Sequence, residues 1–125
     1  MKAVAFHSPG TPDVLQIMEF DPPVPKLNQV RVKVKAAGVQ PVDCRIRGQG
    51  FSPPGVEIRY PQILGNEFAG IIDMVGDGVE SFSVGNEVIG WSLLSSYAEY
   101  VVVPTSQLVR KPKNMPWTVN MKVKT

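Results

Sequence analysis

Residues 63–79 read Ile63-Leu64-Gly65-Asn66-Glu67-Phe68-Ala69-Gly70-Ile71-Ile72-Asp73-Met74-Val75-Gly76-Asp77-Gly78-Val79. Phe68 to Val75 has the length and apolar content of a strand that runs through a core, and Gly76-Asp77-Gly78 breaks it with turn chemistry. Asn66 and Glu67 stand at the head of that run. An amide and a carboxylate that enter a core need partners, because burying either one unpaired is costly. The stretch sets two expectations: a β domain built around this strand, and polar chemistry where the strand begins.

The segments on either side extend the first expectation. Gln29-Val30-Arg31-Val32-Lys33-Val34-Lys35-Ala36 alternates with a period of two, which sends Val30, Val32 and Val34 inward and Arg31, Lys33 and Lys35 to water. Further strands are expected over Met1–Phe6, Val14–Phe20, Asn86–Trp91, Tyr97–Val103 and Gln107–Arg110. Ser8-Pro9-Gly10-Thr11-Pro12 and Asp21-Pro22-Pro23-Val24-Pro25 punctuate them. Pro41 to Arg47 is the one plausible helical turn, with proline at the first helical position and Val42 and Ile46 as an i,i+4 apolar pair. Gly48 to Gly55 reads as loop. Helix content this low does not support a βαβ domain, so the expected fold is mainly β: a partly open barrel with one or two short helical turns and no Rossmann domain.

A chain of 125 residues suits one domain, and its net charge of +2 gives no electrostatic case for nucleic acid or a membrane surface. The Arg31, Lys33, Lys35 row alternates with valines, not with the aromatics a single-strand binder needs, and reads as a solvated strand face. No apolar run of about 18 residues and no signal-peptide core occur, and a cytoplasmic protein is expected. The single cysteine, Cys44, cannot form an internal disulfide and is expected to be an inert buried thiol. The only histidine, His7, ends the first strand. From Pro112 onward the pattern decays; the domain is placed at 1–117, and 118–125 is read as a loose tail of the kind a truncation or frameshift would leave.

Six blocks in order resemble one family: Met1-Lys2-Ala3-Val4, Gly10 to Leu15, Ala37 to Asp43 with Ile46-Arg47-Gly48, Pro61 to Gly70, Phe82 to Gly90, and Tyr97-Ala98-Glu99-Tyr100. The chain is similar to the N-terminal, GroES-like catalytic domain of the zinc-free quinone oxidoreductase branch of the medium-chain dehydrogenase/reductase superfamily. Zinc-using relatives carry a cysteine where this chain has Gln40 and a histidine where it has Asn66, and they have a four-cysteine lobe that is absent here. Catalytic zinc needs three ligands from Cys, His or Asp/Glu, so no metal is expected.

The resemblance implies that Gln40 and Asn66 line a pocket for nicotinamide and a quinone or enone carbonyl, with an amide polarising the carbonyl while NADPH delivers hydride. The competing reading is that both amides merely satisfy buried backbone groups. Asp43 either bonds Asn66 or caps the turn at Pro41. Arg47, with Gln40 and Pro41, is the cofactor-side candidate, against an exposed arginine at a helix end. Phe51 and Tyr60 are candidate walls of the substrate pocket, and Glu67 is expected to be structural. Gly76-Asp77-Gly78 lacks the third glycine of a dinucleotide fingerprint and is a turn. The implied nucleotide-binding domain is a missing partner, so tight NADPH binding and turnover by this chain alone are not expected, whereas self-association is. The alternative function is a GroES-like assembly or binding module without chemistry.

Overall fold

The computed structural model describes residues 1–50, 52, 54, 57–92 and 94–117. Among the described residues, eight strands and the α-helix α1 follow in order: β1 (Lys2–Phe6), β2 (Gln16–Glu19), β3 (Gln29–Gly38), α1 (Pro41–Gln49), β4 (Gln62–Ile63), β5 (Glu67–Val75), β6 (Glu87–Trp91), β7 (Tyr100–Pro104) and β8 (Leu108–Arg110). All strand pairs are antiparallel. They form a three-stranded sheet, β2-β1-β4, and a five-stranded sheet, β7-β3-β5-β6-β8. The residues just before β7 join the two: Val4 N–H donates to the Tyr97 carbonyl at 2.9 Å, Glu99 N–H donates to the Lys2 carbonyl at 3.1 Å, and Ala3 bridges Ala98. The mainly β, open architecture with few helices matches the expected fold class.

The core follows from the alternation. Val30, Val32, Phe68, Ile72, Val88, Val101, Val103 and Leu108 bury their side chains on one face of the five-stranded sheet, where apolar burial supplies the main drive for folding. A second cluster of Phe6, Ile46, Leu64 and Leu94 fixes α1 against β1. On the opposite face of the large sheet, Ala69 and Ile89 pack under Ala36 and Trp117.

Several local expectations need correction. Residues 12–14 form a 3-10 turn, so the second strand starts at Gln16 and not at Val14. α1 runs on through Gly48 and Gln49, which the sequence placed in a loop. Its end is set by Gly50, whose φ of 68° is the left-handed cap that glycine adopts without penalty. Strand β7 begins at Tyr100, because Tyr97 is diverted into the contacts described below, and Thr105–Gln107 is a 3-10 turn ahead of β8. The short β4 carries no alternation to betray it.

Arg31 does not face water as Lys33 and Lys35 do. The register steps from Arg31↔Met74 to Val32↔Ile72, which leaves Asp73 as the extra residue on β5. Its carboxylate takes Arg31 Nε and Nη2 at 3.0 Å each, and the guanidinium also lies 4.6 Å over the Tyr100 ring. A second irregularity at Lys35 explains why Val34 is only half-buried. Cys44 is exposed and not buried: on α1 it lies one position beyond the buried Asp43, on the solvent side.

Lys111, just after β8, is also buried. Its Nζ lies 3.0 Å from Glu87 Oε1, donates to the carbonyls of Pro112 (3.0 Å) and Met115 (2.7 Å), and sits 4.6 Å over the Trp117 ring. A buried ammonium is tolerated when it is paired in this way. The clamp holds Trp117 against the sheet. The proposed tail, residues 118–125, lies outside the described residues. Among the described residues no helix is long and apolar enough to cross a membrane.

Candidate active site at the heads of α1 and β5

The site is organised around Asp43, which is 3% exposed. Pro41 fills the first helical position with its φ already suited to the helix, and Gln40 before it is the extended N-cap residue. That places Asp43 at the third helical position, where its carboxylate reaches back: Oδ2 accepts the Gln40 N–H at 3.0 Å. The same Oδ2 accepts the Tyr97 hydroxyl at 2.9 Å, and Oδ1 accepts the Gly65 N–H at 3.3 Å. One carboxylate thus ties the head of α1, which carries Gln40, to the residue before Asn66. The cap reading of Asp43 holds, and Asn66 is not among its partners.

The chain around Asn66 is held from the other side by Ser92, Ser95, Ser96 and Tyr97. The Gly65 carbonyl accepts the N–H groups of Ser95 and Ser96 at 3.0 Å each, the Asn66 carbonyl accepts Ser92 N–H at 2.8 Å, and Leu64 accepts Tyr97 N–H at 2.9 Å. A buried hydroxyl pair, Ser92 Oγ to Ser96 Oγ at 2.7 Å, closes that loop. Gly65 has φ 103°, and a Cβ there would lie 2.5 Å from Tyr97 Cδ1. Glycine lets the aromatic ring lie directly on the backbone.

With its backbone fixed, the Asn66 side chain keeps one acceptor that the fold does not use. Its Oδ1 is buried and has no hydrogen-bond partner, and Glu67 Oε2 shares that condition. Gln40 is half-buried at the helix cap, and Pro41 is exposed beside it. Arg47 is half-buried, not an exposed helix end: Nη1 donates to the Gly10 carbonyl at 2.6 Å, and the Arg47 carbonyl accepts Gly10 N–H at 2.8 Å. Tyr60 packs edge-on against Phe6, with ring centroids 5.4 Å apart. Phe51 lies outside the described residues. Among the described residues no group of three or more His, Cys, Asp or Glu could hold a metal ion.

Local patterning does not mark Tyr97 as a residue of this site. The pattern predicts a strand beginning at Tyr97, and nothing in its spacing connects it to Asp43, 54 residues away. Burial holds its phenol above the ordinary tyrosine value of about 10, and the hydrogen bond and charge of Asp43 add to the shift. The neutral phenol is therefore favoured in the folded chain. Below a pH of roughly 10 its contribution to stability is complete; above it the unfolded chain ionises first and stability falls. Urea melts at pH 8 and pH 11 should show this loss, and Tyr97→Phe should shrink it.

Comparison with known proteins identifies the family. The alcohol dehydrogenase GroES-like domain family matches residues 26–113. The quinone oxidoreductase of Salmonella typhimurium is 38% identical over 96 residues, covering 76% of this chain and 28% of the relative. That of Homo sapiens is 34% identical over 117 residues, covering 92% and 35%. Among solved structures, Escherichia coli quinone oxidoreductase complexed with NADPH superposes with a TM-score of 0.84 at 32% identity, over 94% of this chain and 35% of that one. Human synaptic vesicle membrane protein VAT-1 homolog-like protein gives 0.90 at 25% identity, over 97% and 38%.

These findings define a GroES-like domain of the alcohol dehydrogenase type. The chain belongs to the quinone oxidoreductase branch of the medium-chain dehydrogenase/reductase superfamily. It spans about a third of the length of the relatives it matches.

Proposed function

We propose that this chain is the catalytic, substrate-pocket domain of a cytoplasmic, NADPH-dependent and zinc-independent quinone or enone oxidoreductase. The observation that carries this reading is the Asp43 bridge, which brings the head of α1, with Gln40, and the head of β5, with Asn66, to one place. NADPH supplies hydride when bound. Gln40 and Asn66 orient the acceptor and present amide donors to the carbonyl where negative charge grows. Arg47 spends one donor on Gly10 and has others for cofactor phosphate. Tyr60, which packs on Phe6 and is partly exposed, is proposed as a wall of the substrate pocket together with Phe51.

The donor set does not suit zinc: Gln40 and Asn66 are neutral amides, and Asp43 already accepts three hydrogen bonds. The domain corresponds to residues 1–117, and hydride transfer needs a nucleotide-binding partner domain of the kind the relatives' remaining length would supply. The 125 residues alone are expected to bind NADPH weakly and not to turn over. The test is quinone-dependent NADPH oxidation by this chain and by the chain joined to the remainder of the Escherichia coli quinone oxidoreductase. Turnover by the joined protein only is expected; turnover by neither contradicts the catalytic reading.

Apolar side chains exposed on the domain, including Ile17, Val39 and Val109, suit a partner surface. Self-association of the isolated chain is expected, read as a rise in sedimentation coefficient with concentration; a constant monomer value contradicts it. They also favour the alternative reading of an assembly module without chemistry.

A further inference from the structure

Glu67 is 8% exposed, yet its Oε2 has no hydrogen-bond partner. A buried carboxylate is rarely left in that state unless something outside the fold completes it. The adjacent Asn66 Oδ1 is likewise unpartnered, so two acceptor oxygens wait for donors at the head of β5. Strand register says what surrounds them. Glu67 pairs directly with Trp91 across β5 and β6, and alternation puts both on the face that carries Ala69 and Ile89, next to the Trp117 ring. Trp91 is 45% exposed, a large flat surface beside the carboxylate.

We propose that Glu67 is a ligand-contacting residue whose carboxylate receives the hydroxyl of a planar phenolic ligand, with Trp91 as the wall against the ring. A metal cation does not fit: among the described residues no third acid, histidine or cysteine joins the pair, and the neighbouring side chains are apolar. A quinone carbonyl does not fit Glu67 either, because it offers only lone pairs to an acceptor. A phenolic O–H supplies the missing donor, and its bond to a charged oxygen is of the stronger kind. The choice of ligand class rests on the function proposed above, since a hydroquinone is the phenolic product of quinone reduction. Glu67 then serves the reduced ligand, and a carbonyl is served by the amide N–H donors of Gln40 and Asn66.

The test is a ¹H–¹⁵N NMR titration of the 125-residue chain with 1-naphthol, with 1-methoxynaphthalene, which has the ring but no O–H, and with 1,4-naphthoquinone. 1-Naphthol is expected to shift the Glu67 amide and the Trp91 indole N–H, and to bind at least about fivefold more tightly than the methoxy compound. Glu67→Gln, close in size, should remove that preference and leave the rest of the spectrum unchanged. Equal binding of the two naphthalenes to the unaltered chain overturns the inference, as does a preference that survives Glu67→Gln. No shift at Glu67, as when a water alone fills the place, overturns it too. The quinone arm separates the two readings: if it fails to perturb Gln40 and Asn66 while the naphthol preference stands, the proposed reaction fails and the Glu67 site does not.

Discussion

Asp43→Ala is expected to lower the thermal midpoint of the domain by about 10 °C or more, the larger of two effects we expect at this site. The substitution removes the acceptor for Gln40 N–H, Gly65 N–H and the Tyr97 hydroxyl together. Gly65 N–H is buried and, left without a partner, costs about 1–3 kcal/mol, while the part-buried Gln40 N–H and Tyr97 hydroxyl cost about 0.5–1.5 kcal/mol each; a small domain loses roughly 3–5 °C for each kcal/mol. Asp43→Asn keeps the shape and part of the acceptor capacity, so about half the loss is expected. Tyr97→Phe removes one of the three bonds and should cost about 1 kcal/mol. Differential scanning calorimetry of the three variants orders them; an Asp43→Ala midpoint within about 2 °C of the parent would show that the carboxylate does not tie α1 to β5.

Gly65→Ala should destabilise the domain by about 3 kcal/mol, from a positive φ and an overpacked contact acting together. Its φ of 103° disfavours any residue with a Cβ, and that Cβ would meet Tyr97 Cδ1 at 2.5 Å and Tyr97 N at 2.9 Å. The ring cannot easily withdraw, because its hydroxyl is bonded to Asp43 at 2.9 Å. In a Tyr97→Ala background the ring contact is gone while the φ cost and the contact with the backbone nitrogen remain. The penalty of Gly65→Ala should then fall to roughly half, a coupling that denaturant melts of a double-mutant cycle measure directly. An unchanged penalty would mean that backbone conformation alone requires glycine here.

How much of this was legible in the residues depends on the range of the interaction. The β3 and β5 strands were readable because their valines and isoleucines repeat with the pleat, a local signal that packing then confirms. The start of α1 was readable from Pro41, whose covalent geometry acts within its own turn. Its end was not, since Gly48 in a helix looks like loop chemistry until Ile46 is seen anchoring the turn in the core. Arg31 escaped because a bulge is a property of a pair of strands: only the extra residue on β5 brings Asp73 to it. Cys44 was misplaced for a related reason, as the buried side of α1 is chosen by Asp43 and Ile46 and leaves its neighbour outside.

For the site, the departures at Gln40 and Asn66 were visible one residue at a time, and the structure adds the connection between them. Asp43 reaches both heads through hydrogen bonds that span 3 and 22 residues, and Tyr97 joins over 54. Contacts at such separations leave no periodic trace in a single sequence. The unpartnered oxygens of Asn66 and Glu67 are equally invisible there, since a polar residue at the head of an apolar run gives no sign of whether the fold will satisfy it.

The central claim is that neutral amides at Gln40 and Asn66 do the work of orienting and polarising the acceptor carbonyl. Its most direct measurement is quinone-dependent NADPH oxidation by the chain joined to a nucleotide-binding partner domain, comparing the parent with a Gln40→Ala, Asn66→Ala double variant in a metal-chelating buffer. Loss of such donors should lower kcat/KM by about 100-fold or more, with the thermal midpoint preserved and the parent active despite the chelator. A double variant that retains kcat/KM within about threefold of the parent, or a parent silenced by the chelator, would contradict it.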